Sequence, residues 1–561
     1  MRTAPVSFAL LFVACAGRQE PAPSDAEPAM QQLVSRVTAK YAPLYKEMSL
    51  AWWEASTTGK DEAFARREKA ENAINDLFAD AQSFARVKGW LAEGRVRDPL
   101  LRRELEVLYR EYLPRQVDKA LLERMVKLGA EVEQIFNTHR SMVGGKELTE
   151  NAVRDILSTS KSSAEVEETW KAYYAVGPKV EGKLKELARL RNESAQKLGF
   201  ANYYELALAT QELDPAELTA IFDELDRMTA APFARAKATI DVALAKKFGL
   251  RPEELRHWHY QDLFFQEAPP IYDVDLDALY AKVDLKDVIT RYYRGIGLDA
   301  ADILARGDLY EKPGKSPHAF CADMDREGDV RILTNLKNDS RWADTLLHEL
   351  GHGIYSKNID RSLPYLLRDS AHIMTTEGVA MLFGRMAKNA AWMEEALGLP
   401  KAEAEAAGAV AEKTMALEAL VFSRWAQVMV RFERGLYGNP DQDLGALWNG
   451  LKQQYQGITP AEGRTAPDYA AKIHIVVAPV YYHNYQLGAL FASQVHRYVA
   501  KRVLGGVDPR RASYVGHPEV GAYFKEKIFA PGMRMKWDAL VRAATGEALS
   551  PAGFAADFIG E

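Results

Sequence analysis

The sequence predicts a mainly α protein, and three observations predict it. From about Met30 onward, long stretches such as "ELEVLYREYLPRQVDKALLERMVKLGAEVEQIFNTH" keep apolar residues at three- and four-residue spacing, with charge on the opposite face. Strand patterning is scarce, the best candidate being "DVRILTNL", where Val330 and Ile332 alternate with Asp329 and Arg331. No repeat of fixed period and no Gly/Ser-rich linker interrupts the body. Residues 30–561 therefore read as one large helical unit, built as two lobes.

Composition narrows the class. A chain of 561 residues with 47% hydrophobic content can bury a large core. The net charge of -6, with Lys and Arg scattered along the chain, gives no basic stripe of the kind nucleic acid requires. Only two cysteines occur, Cys15 and Cys321, too few for a disulfide framework.

The first element is the start, "MRTAPVSFALLFVACAG", which has one arginine, an apolar run from Val6 to Val13 and small residues around Cys15. It reads as a secretory signal over residues 1–15, its apolar run too short to span a bilayer. "FVAC" is similar to the lipobox of bacterial lipoproteins, with Phe12 in place of the usual leucine, and implies lipid attachment at Cys15. Residues 16–29, rich in Pro, Ala and acid, read as a flexible tether. The expected location is the bacterial periplasm or envelope, with membrane contact only through the lipid; the alternative is a disordered cytoplasmic N-terminus.

Downstream of the strand candidate comes "DTLLHELGHGIYSKN". His348 and His352 are four apart, so on a helix they project from one face, one turn apart, with Glu349 beside them. Two imidazoles at that spacing supply two ligands of a zinc ion, and a non-ligating glutamate can take a proton from water that the metal has acidified. Catalytic zinc keeps three protein ligands and one open position. In "SLPYLLRDSAHIMTTEGVAMLFGRM", Glu377 lies 25 residues after His352, early in a second helical pattern, with His372 as its competitor for the third place.

"HELGH" followed by "SLPYLLRDSAHIMTTEG" resembles the angiotensin-converting-enzyme family of zinc peptidases, in which LPxxLRxxA leads to the third ligand. The resemblance implies Glu377 as that ligand, one zinc per chain, Glu349 as general base, small peptides as substrates and a deep cleft in a two-lobed helical fold with a small sheet beside the motif helix. "SPHAFCADMDREGDVRIL" is similar to the family's substrate-binding segment and implies His318 and Ala319 at the substrate. "EETWKAYYAVGPKVEGKLKELARLRNESAQKLGFANYYEL" also resembles a family region, so the likeness runs from about Glu168 to Gly488. The thimet-oligopeptidase and oligoendopeptidase F group shares the zinc spacing.

The last element is "AKIHIVVAPVYYHNYQLGAL". An oxyanion needs hydrogen-bond donors, and His474 and the tyrosines are suitable, although tyrosines at this spacing also suit a packed helix face. The resemblance assigns Lys472 to the substrate carboxylate and His474 to the transition state. With a one-residue gap it assigns Tyr485 to the transition state and Tyr482 to the carboxylate, Tyr481 being able to take either role. Gln261, in "HWHYQDLF", falls where the family has its carboxylate-binding glutamine. Two departures stand out: Met381 replaces the aspartate that orients a zinc histidine, and Asn484 replaces a chloride-binding arginine, which puts chloride activation in doubt. The expected activity is release of C-terminal dipeptides; oligoendopeptidase action and a non-catalytic peptide-binding envelope lipoprotein are the alternatives.

Overall fold

The computed structural model describes residues 26–272 and 275–559. The signal and lipidation readings, Cys15 included, lie outside the described residues. Of the residues read as a tether, 16–25 also lie outside the described residues, and 27–29 form the first turn of a helix, Glu27–Thr58. Pro28 sits in its first turn, where a missing N–H costs nothing, and Met30, Leu33 and Val37 anchor its inner face.

Among the described residues the regular structure is helical apart from two antiparallel two-stranded sheets, Ser141–Val143 with Lys146–Leu148 and Phe320–Asp323 with Val330–Leu333. The long amphipathic stretch around residues 104–139 is two helices, Pro99–Tyr112 and Lys119–Thr138. Pro114 cannot continue the first, and the Asp118 carboxylate caps the second by accepting from the Ala120 and Leu121 amides at 3.0 and 3.3 Å. No helix among the described residues is long and apolar enough to cross a membrane.

One large core joins residues from Val107 to Phe554, and a second, including Met30, Phe78, Leu105 and Leu366, lies under the N-terminal helices. Within the large core three helices come unusually close: the motif helix Ser340–Lys357, the ligand helix Ile373–Gly384 and the tyrosine helix His483–Tyr498. Glycine permits this. A Cβ on Gly351, inside "HELGH", would come within 2.8 Å of the Ala380 Cα, and one on Gly378 within 2.8 Å of the Gly488 carbonyl oxygen. The strand Phe320–Asp323 flanks the motif helix, with Cys321 Sγ 3.7 Å from where a Gly353 Cβ would stand.

Candidate metal centre and cleft

The motif helix starts at a cap, Asp339, whose carboxylate accepts from the Trp342 amide at 2.7 Å. Two turns on, His348 and His352 emerge from one face, their Nε2 atoms 3.2 Å apart. The ligand helix brings Glu377 Oε2 to 3.8 Å from His348 Nε2 and 3.9 Å from His352 Nε2. Ligand atoms of these three residues all lie within 4.8 Å of one another, and no other group of three or more His, Cys, Asp or Glu among the described residues does this. One ion with bonds of about 2.0–2.2 Å to nitrogen and oxygen fits such a triangle.

The electrostatics suit a cation. Burial pushes the His348 imidazole down to about 4 and His352 well below its usual value, so both are neutral, the ligating form. Burial raises the Glu377 carboxyl to about 7. Burial, with the Glu377 charge adding to it, raises Glu349 to about 8. A divalent cation at the triangle reverses the cost of ionising both carboxyls.

His352 is held from behind by Thr376, with its Nδ1 2.7 Å from the hydroxyl oxygen. His348 has no corresponding hydrogen bond among the described residues, and Met381, one turn beyond Glu377, lines the cleft beside it. Of the two imidazoles, only that of His352 is so held among the described residues, and Thr376→Val is expected to weaken metal affinity about 10- to 100-fold. Chelator competition measures this, and an unchanged affinity would remove Thr376 from the role. His372, the competitor for third ligand, faces elsewhere: its Nδ1 caps the ligand helix by accepting from the Met374 amide at 3.1 Å, and its Nε2 donates to the Gln211 carbonyl at 2.8 Å.

A cavity of about 480 Å³ opens beside His348, lined among others by Gln266, Met381, His474, Tyr482 and Tyr485. The Lys472 ammonium, 4% exposed, donates to Gln266 Oε1 at 2.8 Å, and the Tyr482 hydroxyl donates to the same oxygen at 3.1 Å. Two donors on one atom fix the amide orientation, so the Gln266 NH₂ is left to donate elsewhere. The rings of Phe264, Trp425 and Tyr482 stand 4.6, 5.3 and 5.3 Å from the ammonium.

Gln261 does not join this pair: it ends a short 3₁₀ turn, His257–Tyr260, at φ 65°. Gln266, five residues on, meets Lys472 and Tyr482 instead. The intervening backbone is irregular: Phe265 has φ 56°, and the Asp262 carboxylate folds it by accepting from the Phe264 and Gln266 amides at 2.8 and 3.0 Å. No helical or strand period crosses such a segment, so spacing could not locate the residue.

His474 is neutral, pushed down to about 4 by burial and then by Lys472, and its Nδ1 is buried without a partner among the described residues. Burial, then the Glu377 charge, raises the hydroxyls of both Tyr481 and Tyr485. Tyr482 instead reaches Gln266, and its ring lies 5.4 Å from Tyr485 and 5.5 Å from His474. His318 and Ala319 precede the strand Phe320–Asp323, with His318 exposed and its amide donating to Ser316 Oγ at 3.2 Å. Asn484 donates to Gln211 Oε1 at 2.8 Å.

Residues 24–245 and 309–554 match the family model described as angiotensin-converting enzyme, of the peptidase M2 group. The chain is also similar to "Carboxypeptidase 1" of Bacillus subtilis (strain 168), 27% identical over 259 residues, 42% of this chain and 50% of that protein. It thus spans half the length of this curated relative.

Proposed function

The chain belongs to the angiotensin-converting enzyme family of peptidases, and from that premise we propose that it hydrolyses oligopeptides with one zinc ion held by His348, His352 and Glu377, releasing dipeptides from free C-termini. The observation that carries the specificity is the meeting of Lys472 and Tyr482 on Gln266, since Gln266 and Tyr482 line the same cleft as His348. A buried carboxylate needs a cation and hydrogen-bond donors to replace lost water. Lys472 supplies the charge, and the Tyr482 hydroxyl and Gln266 amide supply donors.

A zinc ion held by His348, His352 and Glu377 would supply Lewis acidity for the scissile carbonyl and the attacking water. Glu349, beside both histidines but outside the ligand triangle, accepts the water proton on its carboxylate and later delivers it to the leaving amine. Imidazole His474 and the Tyr485 hydroxyl donate to the oxyanion as charge develops there. Phe422, Met381 and Phe558 give the cleft apolar wall beside these groups.

The relative's name supports a second reading, removal of single C-terminal residues, which needs the same carboxylate grip. Mass spectrometry of products from one defined decapeptide separates the readings: dipeptides are expected, single amino acids favour the second, and internal fragments from an amidated peptide favour an endopeptidase.

The grip also predicts a pH dependence. Burial lowers the Lys472 ammonium to about 8, partly offset by Asp262. The cation is present below that pH and lost above it, so kcat/KM for free-acid peptides is expected to fall as pH rises through about 8. Amidated peptides should not share this limb. Identical alkaline profiles for the two substrates would remove Lys472 from carboxylate binding.

A further inference from the structure

Val480 is a β-branched residue at φ 54°, in the left-handed region that such side chains rarely adopt. Both of its backbone polar groups are gripped by side chains from other elements. Its N–H donates to Glu433 Oε1 at 2.7 Å, from the long helix Lys401–Gly438, and its carbonyl accepts from Gln211 Nε2 at 3.0 Å. Tyr481 and Tyr482 follow immediately, then the tyrosine helix.

Gln211 reaches further. Its Oε1 accepts from His483 Nε2 at 3.1 Å and from Asn484 Nδ2 at 2.8 Å, in the first turn of the tyrosine helix. Its Nε2 also donates to the Ala207 carbonyl at 3.0 Å, so all four hydrogen-bonding positions of the amide are used. Its backbone carbonyl accepts from His372 Nε2, the ring that caps the ligand helix. Thr376 and Glu377 lie in the opening turns of that helix. One residue thus ties the start of the helix carrying Glu377 to the start of the helix carrying Tyr485, and holds the strained residue that aims the tyrosines. Its side chain bonds neither the ligand triangle nor the Lys472, Gln266 and Tyr482 group.

We propose that Gln211 is a positioning residue, setting the register between the metal ligand Glu377 and the oxyanion donor Tyr485. The proposal rests on the peptidase reading above. A donor displaced by a fraction of an ångström from the developing oxyanion costs rate in the transition state while leaving ground-state binding intact.

The test uses full-length, zinc-loaded protein and a free-acid tetrapeptide. Gln211→Met, which removes all side-chain bonds, and Gln211→Glu, which when ionised cannot donate to Val480, are both expected to lower kcat about 10- to 100-fold, with KM and zinc content within about twofold. Val480→Gly in the Gln211→Met background should recover part of that loss, because glycine adopts a positive φ without strain. A merely structural Gln211 would not be rescued by opening a second gap in the core. Unchanged kcat, a parallel rise in KM, loss of zinc, or absence of rescue would each overturn the proposal. Glu349→Gln in the same assays keeps the readings apart: if it remains active the peptidase mechanism fails, whereas if it is dead and Gln211 variants are unaffected only the positioning role fails.

Discussion

Glu349→Gln is expected to lower kcat by about 10²- to 10⁴-fold while zinc content stays at one per chain. The carboxyl is one residue from His348, is 7% exposed, and is raised to about 8 by burial and by the Glu377 charge. Glutamine matches the shape of the protonated acid, so the packing around this buried position is preserved. What it lacks is an oxygen that can take a proton. Kinetics and metal analysis on the same preparation check this, and turnover near the normal rate with glutamine in place would mean another group is the base. The result expected for His348→Ala is different in kind, since removing one of three ligands should release the metal along with the activity.

Lys472→Met is expected to reduce kcat/KM for free-acid peptides by about 30- to 1000-fold, mostly through KM, corresponding to about 2–4 kcal/mol for a buried charge partner. Amidated peptides, which carry no charge to grip, should be cleaved poorly by the normal protein and no worse by the variant. Methionine retains most of the stem among Phe264, Trp425 and Tyr482, so the aromatic walls stay packed. The fold should tolerate the change, because the ammonium is held against its burial cost by Gln266 and by ring faces rather than by a salt bridge. Equal losses on free-acid and amidated substrates would show that Lys472 supports the cleft generally and does not bind a carboxylate.

These predictions draw on features that were not equally legible. The i, i+4 histidines with Glu349 between them could be read from the sequence, because one helical turn fixes their relative placement whatever the rest of the chain does. The helical class was legible for the same reason, each amphipathic face being a local record of burial. Glu377 was nearly as accessible, since its helix follows the motif helix and packs on it at Gly351 and Ala380. Local pattern says nothing about how distant segments meet, and there the tertiary structure decided. It put Gln266 rather than Gln261 against Lys472 and Tyr482, through a stretch with positive φ at Phe265 where no period operates. It put Thr376 behind His352 and turned His372 into a cap. It joined Gln211 and Glu433, 222 residues apart in the chain, on the two backbone groups of Val480. Periodicity identifies the inward face of a helix, but the rotation and depth at which two helices pack depend on every side chain between them, and it is that packing which selects the polar atoms that come within hydrogen-bonding distance.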